Sequence, residues 1–516
     1  MKRIIITLLL CMLLQACSTQ SQSSKVQSTL AYGTSSNIEY INPVLMEEGH
    51  SELASLVYRG LMKQKADNEV EGDIADSWQV SEDELVYTFS LKEAVWHDGT
   101  ALTAKDVVFT FKQIVDPSVS SPLYADFQTI KSVEEDNGKV IFTLSEPTPT
   151  FLHKLKVGII PKHLFEDTPL LESTANRQIV GNGPYKLMSW STDDVLTFER
   201  NEDFYGGAPS IEKIKVYTKL DENTKLIRLK TGELDVAQIT PQQVSTVETY
   251  DGIRVEEIET ADYRALQFNT KHPVLQNTNM RRAVNALIDR EHLLSTVLKE
   301  SGELAYGPLQ KSWARFDADA YTFDEKIAHR LLSDEGYEKK ERYYEKDGEV
   351  LAFEVAAPIS DPVRVALATV IVEQLQQQGI NAQLVTKDWQ HIVIEEEDAF
   401  LIGWGSEDDP DTHTYRVFHS EQLAPAGYNY ARIQNTQMDT HLANAKKGSK
   451  EERTEQYTAF QRILAEEMPF SFLVYLDAHY AVDDSLKGIT GRTLGHNGFG
   501  LFWNVEEWSL KGEGDG

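Results

Sequence analysis

Cysteine is almost absent: the 516 residues contain two, Cys11 and Cys17. The chain beyond Cys17 therefore holds no disulfide, no thiolate metal site and no cysteine nucleophile. Basic residues are scarce beside acidic ones, 50 Lys and Arg against 81 Asp and Glu, for a net charge of −31. A surface so acidic repels phosphate backbones and argues against nucleic-acid binding. After Leu14 no apolar run approaches the roughly 20 residues of a membrane-spanning helix. His-Glu-x-x-His, Gly-x-Ser-x-Gly and P-loop runs are missing, which leaves a secreted hydrolase as a weak alternative. His97-Asp98 is the one suggestive pair, and it opens a tight turn. What remains is ordinary: 41% hydrophobic and 25% charged residues exclude wholesale disorder. The length suits two or three domains.

The amino terminus reads as an address. Lys2 and Arg3 precede an apolar run, Ile4 to Leu14, broken only by Thr7. It is too short to span a bilayer and suits the hydrophobic region of a secretory signal. Leu14-Gln15-Ala16-Cys17-Ser18 then resembles a bacterial lipobox, with Gln15 a looser choice than usual. The expectation is a signal peptide over 1–16 and lipidation of Cys17, with a Ser- and Gln-rich tether over 17–28. That places the protein outside the cytoplasm, anchored by lipid to the cell envelope.

Short strands and amphipathic helices alternate through the body, indicating a mixed α/β architecture. Leu85 to Leu91 alternates as a strand should. Thr103 stands three residues before Asp106, a capping-box spacing. The helix that follows, with Val107, Val108 and Phe111 on one face, ends at Asp116-Pro117. Hairpins are expected over Val133–Leu144, turning at Asn137-Gly138, and over Tyr343–Val355, turning at Asp347-Gly348. Long helices are expected at Asn279–Lys299, Pro362–Gln378 (stopped by Gly379) and Lys450–Glu466.

Several segments, in order, resemble the extracytoplasmic solute-binding proteins of family 5, which serve ABC importers of oligopeptides, dipeptides and nickel. They are Asn42-Pro43, Leu56-Val57-Tyr58-Arg59-Gly60-Leu61, Ile74-Ala75-Asp76-Ser77-Trp78, and Tyr87 to Leu91 with Trp96-His97-Asp98-Gly99-Thr100. Gly181-Asn182-Gly183-Pro184-Tyr185, Tyr205-Gly206-Gly207-Ala208-Pro209, Phe268-Asn269-Thr270 and Gly403-Trp404-Gly405-Ser406 continue the series. The chain departs from the family pattern at Ala94 and around Glu407–Asp411. The resemblance implies an α/β, two-lobed periplasmic-binding-protein fold (type II, cluster C) with an additional inserted domain and a hinge of crossing strands. By analogy lobe I takes 29–60, 180–268 and 477–516, the additional domain 61–179, and lobe II 269–476. It also implies a monomeric receptor without enzymatic activity or cofactor, which hands its ligand to an ABC permease and ATPase.

A ligand enclosed between lobes needs counter-charges, because an unpaired buried ion costs several kcal/mol, on the order of 3–5. Peptide-binding relatives place an aspartate just after the tryptophan of the Gly-Trp-Gly segment, so Asp408 is the first candidate to meet a ligand ammonium, with Glu407 and Asp409 as competitors. Trp404, Tyr32, Tyr428 and Tyr430 are candidate cleft aromatics. Arg416 and Arg432 are candidate clamps for a carboxylate. A peptide or a zwitterion of similar size is the leading ligand. The alternative is a nickel chelate or metallophore, for which His413, His419 and His391 are candidate imidazoles.

Overall fold

The computed structural model describes residues 29–38, 40–46, 53–191, 194–405 and 409–510. The signal peptide, Cys17, the tether, Glu407 and Asp408 lie outside the described residues.

Two long strands organise the molecule. Ile253–Phe268 and Phe470–Asp483 run antiparallel through the centre of an 11-stranded sheet. On one side of them the sheet continues through Ala399–Gly405, Ala352–Pro358 and Asn381–Lys387; on the other through Val236–Ile239, Thr29–Gly33, Lys213–Tyr217, Val195–Arg200 and Tyr185–Trp190. Each wing buries its own apolar set. One core gathers residues such as Leu30, Phe198, Ile258 and Tyr480; the other gathers Tyr263, Phe268, Phe400 and Tyr475. The change from one core to the other falls inside both long strands, between Ile258 and Tyr263 and between Tyr475 and Ala478. The architecture is a two-lobed periplasmic-binding-protein fold whose crossing strands belong to both lobes.

The pairing of the crossing strands is broken where the cores change. Between Glu259 and Tyr263 the register shifts, and the strand turns to a new neighbour: Thr260 bridges Leu494, and Ala261 donates its N–H to the Leu494 carbonyl at 2.8 Å. A bulge of this kind re-aims side chains, and Asp262 lies within it.

A separate four-stranded antiparallel sheet, Ala75–Val80, Val86–Leu91, Lys139–Leu144 and Ile130–Asp136, carries the helix Ala104–Val115. That helix starts on the Thr103–Asp106 capping box and gives way at Asp116, before Pro117. Phe111 meets Phe142 and Phe127 edge-on, and these rings belong to the first core. Asn137 and Gly138 both take positive φ at the hairpin turn, the combination a type I′ turn requires.

The helix Pro362–Gln378 stops at Gly379, whose φ of 102° suits a residue without Cβ; Lys450–Glu467 runs one residue beyond expectation. Two expected elements are shorter. The hairpin at Asp347-Gly348 pairs only Tyr343–Lys346 with Glu349–Val350, because Ala352–Pro358 leaves to pair in parallel within the main sheet. The helix expected over Asn279–Lys299 is two, Thr278–Ala286 and Arg290–Thr296. Asp289 breaks it by accepting the His292 N–H and starting a new helix.

Candidate functional site

A cavity of about 290 Å³ opens between the wings beside the bulge. Its aromatic wall comes from lobe II: Trp404 at the end of the strand Ala399–Gly405, and His413 and Arg416 on the helix Asp411–Phe418, with Tyr428 beyond. Trp404 is the centre. Its ring lies 5.1 Å from Tyr428 at 27°, 6.5 Å from Tyr430 at 11°, 5.5 Å from His413 and 6.4 Å from His496. The Trp404 Nε1–H is buried and has no hydrogen-bond partner among the described residues.

The facing wall is charged. Arg59, Lys63, Asp73, Asp126, Lys156 and Arg492 line it. Arg59 is placed through its backbone: its N–H donates to Asn182 Oδ1 at 2.9 Å and its carbonyl accepts from Asn182 Nδ2 at 3.2 Å. Its guanidinium is buried, 2.6 Å from Glu506 and 3.8 Å from Asp73. Burial works against its charge, yet Glu506 and Asp73 raise its pKa above the ordinary value. Burial dominates at Asp73 and lifts that carboxyl above its ordinary value despite Arg59; the Tyr205 hydroxyl donates to it at 2.5 Å.

His496 stands where the two walls meet. Asp262 Oδ1 lies 2.7 Å from its Nδ1, and Asp262 Oδ2 accepts the Asn497 N–H at 2.9 Å. A carboxylate of this kind only accepts, so Nδ1 carries the proton and Nε2 presents the lone pair of the neutral ring. Burial pushes the imidazole below its ordinary pKa, against the opposing pull of Asp262, which keeps that lone pair available. Asp262 is itself fully buried, but Arg264 and His496 outweigh burial and hold it well below the usual carboxylate range. Arg264 Nη1 donates to it at 2.5 Å. Behind them Arg364 pairs with Asp361 at 3.1 Å, and burial beside Arg264 pushes it down to about 10. Gly403 makes the assembly possible, since a Cβ there would collide with the Arg264 guanidinium.

The structure therefore brings together Trp404, Arg416, Tyr428 and His413, with Tyr430 stacked behind. Other expected site residues lie elsewhere. Asp409 is buried and takes two hydrogen bonds from Arg453, at 2.9 and 2.6 Å, so its charge is spent inside lobe II. Tyr32 packs edge-on against Phe502 in the first core. Arg432 is not in the cavity wall; its backbone carbonyl takes the Thr270 hydroxyl. His419 is buried against Tyr415, and His391 is exposed beside Asp388. Among the described residues no group of three or more His, Cys, Asp or Glu is placed to hold a bare metal ion. Sequence reasoning missed His496, Asp262 and the charged wall. The glycine-flanked run Leu494-Gly495-His496-Asn497-Gly498 was the one visible hint.

A fold of two cores on shared crossing strands, with a cavity between them, is that of a solute receptor. Residues 69–424 match the model of bacterial extracellular solute-binding proteins, family 5, middle region, and the chain belongs to that family. Among solved structures it is similar to NikZ from Campylobacter jejuni in complex with Ni(L-His), at 36% identity and a TM-score of 0.88, covering 94% of this chain and 99% of that one. It is also similar to the oligopeptide-binding protein AppA from Bacillus subtilis in complex with a nonapeptide, at 25% identity and a TM-score of 0.82, covering 93% and 98%. Heme-binding protein A of Haemophilus influenzae is 26% identical, over 95% of this chain and 96% of its own. No helix among the described residues is long and apolar enough to cross a membrane.

Proposed function

We propose that the chain is the receptor of an ABC importer and that it captures a compact, carboxylate-bearing ligand, best matched by a divalent metal already chelated by a small amino acid such as histidine. The observation that carries this reading is His496: an imidazole in the cavity wall, oriented by a buried carboxylate, with Nε2 as its free lone pair. A carboxylate behind a histidine is the arrangement that fixes a metal-binding ring and raises its basicity. His413 lies against the same tryptophan. Among the described residues no group of three such ligands stands there, which suits a metal that brings donors of its own. Arg59, Lys63, Lys156 and Arg492 suit the chelator's carboxylates, and Trp404 offers a face for a flat ligand. The similarity to NikZ in complex with Ni(L-His) supports the same choice.

A peptide is the second reading. Gly405 lines the cavity, and Glu407 and Asp408, which follow it in sequence and lie outside the described residues, are the candidate counter-charges for an ammonium group. Peptide-binding relatives support it. In either case the protein performs no covalent chemistry, works as a monomer, and is held at the envelope through lipidated Cys17.

Calorimetry separates the two. Ni²⁺ titrated with L-histidine present should bind at one site, with far weaker binding of Ni²⁺ or L-histidine alone. Tight binding of tri- to pentapeptides without metal would favour the second reading instead.

A further inference from the structure

Two opposite charges from residues packed on different cores meet in the cavity wall. Asp126 belongs to the short helix Tyr124–Phe127, whose Phe127 sits in the first core; Arg416 belongs to Asp411–Phe418, whose Val417 and Phe418 sit in the second. The two side chains meet at 3.3 Å, are 17% and 22% exposed, and both line the cavity. The Arg416 guanidinium also lies 4.2 Å over the Tyr428 ring, which stacks on Trp404. Lys154 Nζ donates to the Asp126 carbonyl at 3.2 Å, and its charge acts on Asp411 at the start of the Arg416 helix. Further out, Lys447 meets Glu146 at 2.8 Å, with 55% and 44% of the side chains exposed.

We propose that Asp126–Arg416, assisted by Glu146–Lys447, is an ionic latch that holds the two wings together and seals the cavity. The partners lie 290 residues apart in sequence, and they join segments packed on different cores. Rotation about the crossing strands must separate these pairs. Partial exposure makes the latch sensitive to ionic strength, since the screening length falls from about 10 Å at 0.1 M salt to about 3 Å at 1 M. The shielded inner pair carries most of the effect, and the outer pair, open to water, little. Because Arg416 stacks on the aromatic wall, the latch is set only when Tyr428 and Trp404 are in place.

Small-angle X-ray scattering of the ligand-free full chain tests this without any assumption about the ligand. The unmodified protein should be compact at low salt and expand at high salt. Asp126→Asn should lower the closed-to-open ratio about fivefold at low salt and remove most of the salt response. The double variant Asp126→Asn, Arg416→Gln should be no more open than Arg416→Gln alone, because the two act through one contact. Salt-independent scattering from the unmodified chain, an Asp126→Asn curve superimposable on it, or additive opening in the double variant would each overturn the latch.

Discussion

The two walls of the cavity are built on opposite principles. The lobe II wall is aromatic, with Trp404, His413 and Tyr428, and needs no counter-charge. The facing wall, with Arg59, Asp73, Lys63, Lys156 and Arg492, stores charge whose desolvation must be offset by neighbours or by the ligand. Its most buried cation, Arg59, is already served by Glu506 and Asp73. The contrast suggests a division of labour: the aromatic side sets shape, the charged side selects ligand charge, and His496 at the junction supplies a directed lone pair.

That contrast can be broken in order of expected effect. Arg59→Ala should be the most damaging change, lowering stability by about 3–5 kcal/mol in urea denaturation, because Glu506 and Asp73 lose their buried partner. Trp404→Ala, a cut in the aromatic wall, should leave stability less affected. Asp262→Asn should weaken binding of the Ni²⁺–histidine probe about 10- to 100-fold, the usual cost of losing the carboxylate behind a metal-binding histidine; an unchanged Kd in calorimetry would remove His496 from the site.

A pH experiment sharpens the picture on the crossing strands, each of which carries a carboxylate. Asp262 is held ionised, whereas burial, with Glu257 and Glu259 nearby, pushes Asp477 up to about 6 despite the Gly302 N–H and Lys311. A carboxyl with a raised folded pKa contributes stability below its unfolded value near 4, lost as pH rises through about 6. Asp477→Asn should therefore raise thermal stability at pH 8, by about 1 kcal/mol after allowance for solvent screening, and change it little at pH 4. Smallest of all, His391→Ala should leave metal-chelate affinity within about 0.5 kcal/mol, since that side chain is exposed and outside the cavity.

Local rules were legible in the chain. The Thr103–Asp106 cap, the Asn137-Gly138 turn and the Gly379 stop depend on neighbours a few residues away, and each formed as its chemistry requires. Trp404, named from the Gly-Trp-Gly segment, and Arg416 and Tyr428, which follow it within 24 residues, all line the cavity. Asp409 was not separable from Asp408 by sequence, because the partner that removes it from the cavity, Arg453, is far along the chain. His496 and Asp262 were invisible for the same reason: 234 residues separate them, and a register shift in a central strand brings them together. The broken helix at Asp289 shows the limit of periodicity, which continues across a residue whose side chain prefers to cap.

Native mass spectrometry of the full chain, offered Ni²⁺, L-histidine and a mixture of short peptides together, tests the central claim most directly. One dominant adduct containing one metal and a small chelator is expected, and it should be lost on Asp262→Asn. A metal-free peptide adduct that survives that substitution would contradict it.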